Sequence, residues 1–374
     1  MAGIYLHIPF CKQKCHYCDF HFSTNLANQD RMVKAISKEL ILRKDSFSSK
    51  TIETIYFGGG TPSLLSLEQL QLLLKTVFDN FEVSGNPEIT LEANPDDLAI
   101  ENLRAFKEAG VNRLSIGVQS FDNDVLQFMN RAHNSSEALS SIKIARELGF
   151  DNITADLIYG LPNKDLDYWK EQVQQMIDMG VNHISAYCLT IEGNTVFNHL
   201  ETKGELKLPE DEESLGQFEY LVDKLSEAGF EQYEISNFAK DGFISRHNSA
   251  YWRGKHYLGA GPSAHSFDGA SRSWNIRNNN TYLAEIEKGF RPFETEQLSD
   301  NDKFNDFILT RLRTKWGLDK MELSELLNNV VHPEFNKVLE SIIRQDSIKE
   351  TEDAYVLTSK GKFIADGIAA DLFV

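Results

Sequence analysis

The sequence has little cysteine and a shortage of basic residues. Its 374 residues include four cysteines, and 38 Lys and Arg stand against 56 Asp and Glu, for a formal net charge of −18. Four cysteines are too few for a disulfide scaffold of this size, and a reducing cytosol would not keep one. The acidic balance argues against a nucleic-acid partner, because a general nucleic-acid binder needs a basic field to engage phosphates.

Long apolar runs are also missing. No stretch approaches the roughly 20 apolar residues that a membrane-spanning helix needs. The first ten residues are apolar, but they lack the basic segment and the small-residue cleavage site of a secretory signal. The sequence therefore predicts a cytoplasmic protein with no integral membrane segment.

The first half of the chain alternates between strand and helix patterns. Six short apolar runs, each followed by a segment of helical periodicity, predict parallel strands joined by crossovers. We predict an α/β fold in which residues 1–205 form a partial (β/α)6 barrel. Strands are expected at residues 4–8, 54–57, 88–92, 113–119, 152–159 and 183–190. Helices are expected at residues 30–42, 67–78, 136–148 and 166–179, with one more that begins at Asn94-Pro95.

The pattern changes after residue 205. An acidic helix is expected over residues 209–228, and residues 230–300 are rich in Gly, Asn and aromatics without a clear period. Helical patterns return after residue 302, followed by a short strand at 355–357 and one last helix over 359–371. We predict an extension at residues 206–300 and a C-terminal α+β winged-helix-like domain at 301–374.

Three of the four cysteines lie within eight residues, directly after the first predicted strand. Cys11, Cys15 and Cys18 have the spacing C-x3-C-x2-C. Three thiolates on a tight loop can hold three corners of a [4Fe-4S] cluster and leave the fourth iron open to a small molecule. There are two alternatives. The three cysteines could form a structural zinc site with one further ligand, for which the sequence offers four candidates, or they could be clustered by chance. Those four ligands are His7, His16, His21 and Cys188.

The cysteine motif resembles that of the radical S-adenosylmethionine (SAM) superfamily, in which SAM chelates the fourth iron. Tyr17, directly before the third cysteine, matches an aromatic position of that family. Residues 58–62, Gly-Gly-Gly-Thr-Pro, resemble its glycine-rich SAM loop, although a triple glycine alone is also compatible with a plain turn. The resemblance implies a [4Fe-4S] cluster and SAM as cofactors.

Four longer strings narrow the resemblance. Residues 4–11, 57–62, 114–121 and 156–162 look like the oxygen-independent coproporphyrinogen III oxidase group, and the likeness spans roughly residues 3–270. For Glu92 and Asp156, an ordinary role as strand-end cap or ion-pair partner is the alternative. By position in the motifs, the resemblance implies nine SAM contacts: Tyr5, Tyr17, Gly59, Gly60, Thr61, Glu92, Gln119, Arg131 and Asp156.

The sequence departs from the oxidase at one informative position. Phe20 stands where the oxidase has a fourth cysteine, in the pattern C-x3-C-x2-C-x-C. The chain also starts almost on its first strand, where the oxidase has an N-terminal arm. Radical SAM decarboxylation of coproporphyrinogen III is therefore the disfavoured alternative, and whether the chain is an enzyme stays open.

A second string points to haem. Residues 246–252 contain His247, Asn248, Tyr251 and Trp252, and resemble the His-Asn-x-x-Tyr-Trp motif of the HemW branch, the haem chaperones of this group. Neutral imidazole is a good axial ligand of haem iron, and Tyr and Trp offer flat faces to a porphyrin. A buried, hydrogen-bonded histidine among core aromatics is the alternative.

The resemblance to that branch implies a haem chaperone. Such a protein binds haem, a [4Fe-4S] cluster and SAM, and transfers the haem to acceptor haem proteins, respiratory ones among them. The resemblance also implies transient contact with membrane-bound acceptors and a monomer–dimer equilibrium. His247 is the expected ligand of the haem iron.

Overall fold

The computed structural model describes residues 2–47 and 51–374. Its first half is the predicted series of strands and helices, and strands β1 to β6 pair in sequence order, all parallel. In β1, β4 and β5 all residues but one are buried, as expected for a parallel sheet covered on both faces. The elements are β1 (Ala2–Ile8), α1 (Gln29–Leu42), β2 (Ile52–Gly59), α2 (Leu67–Asn80), β3 (Val83–Ala93), α3 (Ile100–Ala109), β4 (Arg113–Gln119), α4 (Asn123–Phe128), α5 (Ser135–Glu147), β5 (Ile153–Tyr159), α6 (Leu166–Asp178) and β6 (His183–Cys188).

The middle of the chain extends the same sheet at both edges. Strand β9 pairs parallel with β1, and β8 pairs antiparallel with β6, so the sheet has 12 strands. The acidic helix expected over residues 209–228 is present at Asp211–Glu227. The sequence predicted no regular structure over residues 230–300, because the strands there are too short to show a period. The elements are α7 (Val196–Thr202), α8 (Asp211–Glu227), β7 (Glu231–Glu234), β8 (Asn237–Ala239), α9 (Arg246–Trp252), β9 (His256–Ala260), β10 (His265–Phe267), β11 (Ser271–Asn275), α10 (Asn279–Glu287) and β12 (Phe293–Gln297).

The C-terminal part has a three-stranded antiparallel sheet and its own apolar core, which includes Phe304, Leu339 and Leu372. It agrees with the predicted winged-helix-like α+β domain. The proposed boundaries at 205 and 300 stay predictions. The elements are α11 (Asp300–Leu312), β13 (Leu318–Asp319), α12 (Lys320–Leu327), α13 (Phe335–Arg344), β14 (Ile348–Glu350), β15 (Ala354–Leu357), α14 (Ser359–Phe363) and α15 (Ala365–Asp371).

Two expected helices differ in the structure. Asn94 does not cap a helix: a 3-10 turn, Pro95–Asp97, follows it, and α3 begins only at Ile100. The Asn94 side chain accepts a hydrogen bond from Arg131 instead. The last expected helix is divided at Ile364, which leaves the helical region of the backbone map at φ −110° and ψ 25°. Within the residues described, no helix is both long and apolar enough to cross a membrane.

Candidate cofactor site and the adjoining cavity

The cysteine loop follows β1 at the carboxyl end of the parallel strands, where α/β folds build their sites. Cys11, Cys15 and Cys18 are all partly accessible, and burial raises the pKa of the Cys11 thiol to about 11. In the described part of the chain, no three His, Cys, Asp or Glu side chains gather closely enough to bind a single metal ion. Three thiols on one loop can hold three corners of a [4Fe-4S] cluster.

Arg131 ties the cysteine loop to the sheet. Its guanidinium donates to Cys15 Sγ and to the Tyr17 hydroxyl, both at 3.3 Å. It also donates to Asn94 Oδ1 at 2.6 Å and to the Gly117 carbonyl at 2.8 Å. Its Nε atom is buried without a partner. The side chain therefore holds the loop over the ends of β3 and β4 and keeps one buried donor free.

The glycine-rich loop packs against the start of the cysteine loop. A Cβ atom at Gly60 would lie 2.5 Å from the Phe10 carbonyl oxygen, and Gly59 has a φ of +103°. Both positions therefore need glycine. Thr61 N donates to the Phe10 carbonyl at 2.6 Å, and the Thr61 side chain hydrogen-bonds Cys11. The glycine-rich loop thus helps to position Cys11. This is a structural reason for the glycine motif, in addition to the SAM binding that the sequence predicts for it.

Two partly buried carboxyls, Glu92 and Asp156, lie near the carboxyl ends of β3 and β5. Burial raises the pKa of Glu92 and of Asp156 to about 7 each. Glu92 accepts a hydrogen bond of 2.7 Å from Tyr56, whose ring stacks on that of Tyr5. A cationic ligand such as a sulfonium or an ammonium would relieve the cost of ionising these carboxyls.

Gln119 ends β4 in an unusual backbone conformation. Its φ is +65°, although it is not glycine, and the pairing of β4 with β5 is irregular there. A Cβ at Gly117 would lie 2.9 Å from Gln119 Nε2 and 3.2 Å from Arg131 Nη2, so these polar groups lie close together. Backbone strain of this kind is concentrated at ligand sites.

His247 lies in the interior and has no free ring nitrogen. Its Nδ1 shares a hydrogen bond of 2.6 Å with the Thr54 hydroxyl, and its Nε2 shares one of 2.8 Å with the Tyr251 hydroxyl. The ring stacks on Tyr56 at 4.9 Å between centroids. Burial, and then the charge of Arg113, lower the His247 pKa to about 3, so the ring is neutral.

The four residues of the expected haem motif share α9, but their side chains diverge. His247 and Tyr251 point together towards β1 and β2, while Asn248 donates to the Tyr233 hydroxyl at 3.2 Å. Trp252 lies under the Arg313 guanidinium of the C-terminal domain, at 5.5 Å. The four side chains therefore do not share one face of α9 in this conformation, since residues at i and i+1 of a helix point in different directions. Their haem contacts stay predictions.

One cavity joins the cysteine loop to α9. It has a volume of about 360 Å³ and is lined by Asp19, Phe20 and His21 on one side and by Tyr251 on another. His7, Tyr5 and Tyr257 form its inner wall, and Ser263, His265 and Arg277 line it from the segment around β10. Sequence reasoning missed His265 and Arg277, because they lie far along the chain from both motifs and belong to no recognisable pattern.

Comparisons with known proteins agree with this geometry. The profile of the radical SAM superfamily matches residues 5–184. The chain is 36% identical over 371 residues to the haem chaperone HemW of Bacillus subtilis, covering 98% of each chain. It is 34% identical over 375 residues to HemW of Escherichia coli, covering 98% of this chain and 96% of that one. The chain belongs to the HemW family of radical SAM proteins.

A solved structure supports the fold. Coproporphyrinogen III oxidase (HemN) from Escherichia coli, a radical SAM enzyme, superposes on this structure with a TM-score of 0.85. The superposition covers 100% of this chain and 90% of the oxidase chain. At 22% identity this likeness shows the fold alone. The radical SAM family implies a [4Fe-4S] cluster and SAM. Three thiols on one loop, two partly buried carboxyls of raised pKa and the unpaired Arg131 Nε fit such a pair of cofactors.

Proposed function

We propose that this protein is a haem chaperone that binds haem beside a [4Fe-4S] cluster and SAM, and passes the haem to acceptor haem proteins. Curated relatives of nearly equal length are named haem chaperones. One observation carries the proposal: a single cavity is lined by Phe20, which follows the cysteine loop, and by Tyr251 of the haem motif. Delivery takes place in the cytoplasm, with transient contact where acceptors such as respiratory proteins are membrane-bound.

The cofactor residues divide by chemistry. Cys11, Cys15 and Cys18 hold three irons of the cluster, and SAM with the cluster supplies one-electron chemistry when both are bound. Arg131 positions Cys15 and Tyr17, and its free Nε can donate to a carboxylate. The remaining proposed SAM contacts are Tyr5, Tyr17, Gly59, Gly60, Thr61, Glu92, Gln119 and Asp156.

His247 keeps a proposed role as an iron ligand, but this role requires a movement. Its Nε2 becomes free only when the Tyr251 hydroxyl leaves it, while Nδ1 stays with Thr54. The neutral state of the ring suits iron binding, since a lone pair is the ligand. Asn248 and Trp252 act as positioning residues, through Tyr233 and Arg313, for the helix that carries His247 and Tyr251.

Haemin titration of the anaerobically reconstituted protein tests the proposal. A saturable shift of the Soret band is expected, followed by transfer of the haem to an apo-haem protein such as apomyoglobin. Binding that never saturates, or bound haem that cannot be transferred, would contradict the proposed function.

The oxidase alternative needs its own test. Phe20 occupies the position of the oxidase's fourth cysteine, and 68% of its surface is exposed at the cavity. With SAM, a reductant and coproporphyrinogen III under strict anaerobiosis, we expect no decarboxylated product. Product formation above that of a Cys15→Ala variant would restore the oxidase assignment.

A further inference from the structure

Aromatic rings line the cavity, and the proposed function assigns no direct ligand contact to Phe20 or Tyr257 among them. Phe20 lies at its edge with 68% of its surface exposed. Tyr251 packs edge to face on Tyr257, with ring centroids 4.5 Å apart, and both rings line the cavity. Rings on several sides of a cavity of about 360 Å³ suit a flat aromatic ligand that enters by one edge.

His265 offers an accessible imidazole at this cavity. Its ring stacks on Trp274 at 5.9 Å, and among the described residues neither nitrogen has a hydrogen-bond partner. Burial, and then Arg272, lower its pKa, so the ring is neutral at pH 7 and carries a lone pair. The other cavity imidazoles are engaged, because His7 bonds Tyr5 and the His21 carbonyl, and His21 Nε2 bonds Asn279 at 2.7 Å.

Arg277 brings a cation to the same cavity. One of its five donors is used by the Asp19 carbonyl, which leaves the others free for a carboxylate. The side chain is exposed and has no acidic partner within ion-pair distance among the described residues. Asp19 contributes the only carboxyl among the lining residues. A ligand with carboxylates would therefore be attracted by Arg277 and repelled by Asp19.

From this juxtaposition we propose that the cavity seats the haem itself, with the His265 imidazole as an iron ligand, Arg277 paired with a propionate, and Phe20 against the porphyrin face. The inference rests on the proposed function and deepens it. A neutral imidazole nitrogen donates its lone pair to ferric iron and displaces a bound water, so no redox partner is needed. In this conformation Tyr251 stands between the cavity and His247, and His265 is the imidazole that haem meets first.

Comparing the binding of two porphyrins separates the contact of His265 with iron from the contacts of the protein with the ring and the propionates. Haemin and iron-free protoporphyrin IX carry the same propionates and the same ring, but only haemin can bind an imidazole through iron. His265→Ala should weaken haemin binding by at least about tenfold and leave protoporphyrin binding unchanged. Arg277→Gln should weaken both by about fivefold, and Asp19→Asn should strengthen both.

The chain offers matched controls for each substitution. His199 and Arg104 are exposed residues of the same types that do not line the cavity. Phe290, which is 67% exposed, matches Phe20. His199→Ala, Arg104→Gln and Phe290→Ser should bind both probes like the wild-type protein, whereas Phe20→Ser should weaken both. Circular dichroism of each variant confirms that it folds.

The outcomes distinguish this inference from the function it rests on. Saturable haemin binding by the wild-type protein that is lost in His247→Ala but not in His265→Ala would overturn the inference and leave the proposed function standing. Loss of haemin binding but not of protoporphyrin binding in His265→Ala would support the inference, whatever the effect of His247→Ala. If the wild-type protein itself shows no saturable binding, the proposed function fails as well.

Discussion

The cysteine loop and helix α9 carry motifs of similar length. They differ in whether the side chains proposed to bind a ligand already have hydrogen-bond partners within the protein. Beside the cysteine loop, burial raises the pKa of two carboxyls, and Arg131 keeps a buried donor without a partner. On α9, both ring nitrogens of His247 and the amide of Asn248 are hydrogen-bonded within the protein, while Ser249 Oγ and Trp252 Nε1 are buried without a partner. Unsatisfied buried groups are costly, so a fold keeps them where a ligand completes them. Arg131 can therefore bind a ligand as it stands, whereas His247 must first lose its hydrogen bond to Tyr251.

The largest difference between the two regions should appear when a thiol is removed. Cys15→Ala takes away one of three ligands on the loop, so the iron content should fall from about four atoms per chain to nearly none. Iron and acid-labile sulfide are measured after anaerobic reconstitution. Cys188→Ala is the matched control, because Cys188 is an exposed thiol on β6 outside the loop. Equal iron in both variants would remove the basis for a cluster on this loop.

The second largest effect is expected at Arg131, which ties the cysteine loop to the sheet. Arg131→Met removes hydrogen bonds to Cys15, Tyr17, Asn94 and the Gly117 carbonyl, and it should lower the free energy of unfolding by about 2–4 kcal/mol. Urea denaturation of the cluster-free protein measures this loss. The exposed Arg104→Met should change it by less than about 0.5 kcal/mol. A small loss at Arg131 would show that the loop holds its position without the guanidinium.

The buried histidine of α9 should make stability depend on acid. Its pKa is about 3 in the folded protein against an ordinary 6.5, so its contribution is complete above pH 6.5 and is lost as the pH falls towards 3. Between pH 7 and pH 5 this loss amounts to about 2 kcal/mol. Urea titrations of His247→Phe at both values should lack that part of the pH dependence, whereas His199→Ala should retain it. An unchanged dependence in His247→Phe would mean that His247 is accessible to water.

The carboxyls beside the cysteine loop should make the protein less stable as the pH rises, which is the opposite of the effect of His247. The pKa of Glu92 is raised to about 7 from 4.5, so its contribution to stability is complete below pH 4.5 and is lost as the pH rises through 7. Glu92→Gln keeps an acceptor for Tyr56 and should stabilise the ligand-free protein by up to about 3 kcal/mol at pH 8. The same variant should bind SAM more weakly by calorimetry. If Glu92→Gln is less stable than the wild-type protein at pH 8, the ionised Glu92 carboxylate does not destabilise the fold, and the raised pKa is contradicted.

The sequence predicted the six parallel strands well because each apolar run is followed by a helical pattern and the glycines that end the helices are distinct. It failed for β9, whose five residues include Gly259 and show no period. It also placed a helix start at Asn94, since Asn-Pro is a common start, but Arg131 competes for that side chain.

The site was predictable in part. The cysteine spacing and the SAM loop are local patterns, so Cys11, Cys15 and Cys18 could be found together. Whether His247 is open depends on Thr54 and Tyr251, and the accessibility of His265 depends on the packing of β10 against its neighbours. Such long-range contacts leave no local signal, so His265 and Arg277 emerge only from the fold.

Anomalous scattering at the iron absorption edge from crystals grown with haemin tests the central claim most directly. Two iron-containing peaks are expected: one at the loop of Cys11, Cys15 and Cys18, and one in the cavity between Phe20 and His265. A second peak at His247 alone would contradict the His265 assignment and leave the proposed function standing, whereas no second peak within the protein would contradict the account.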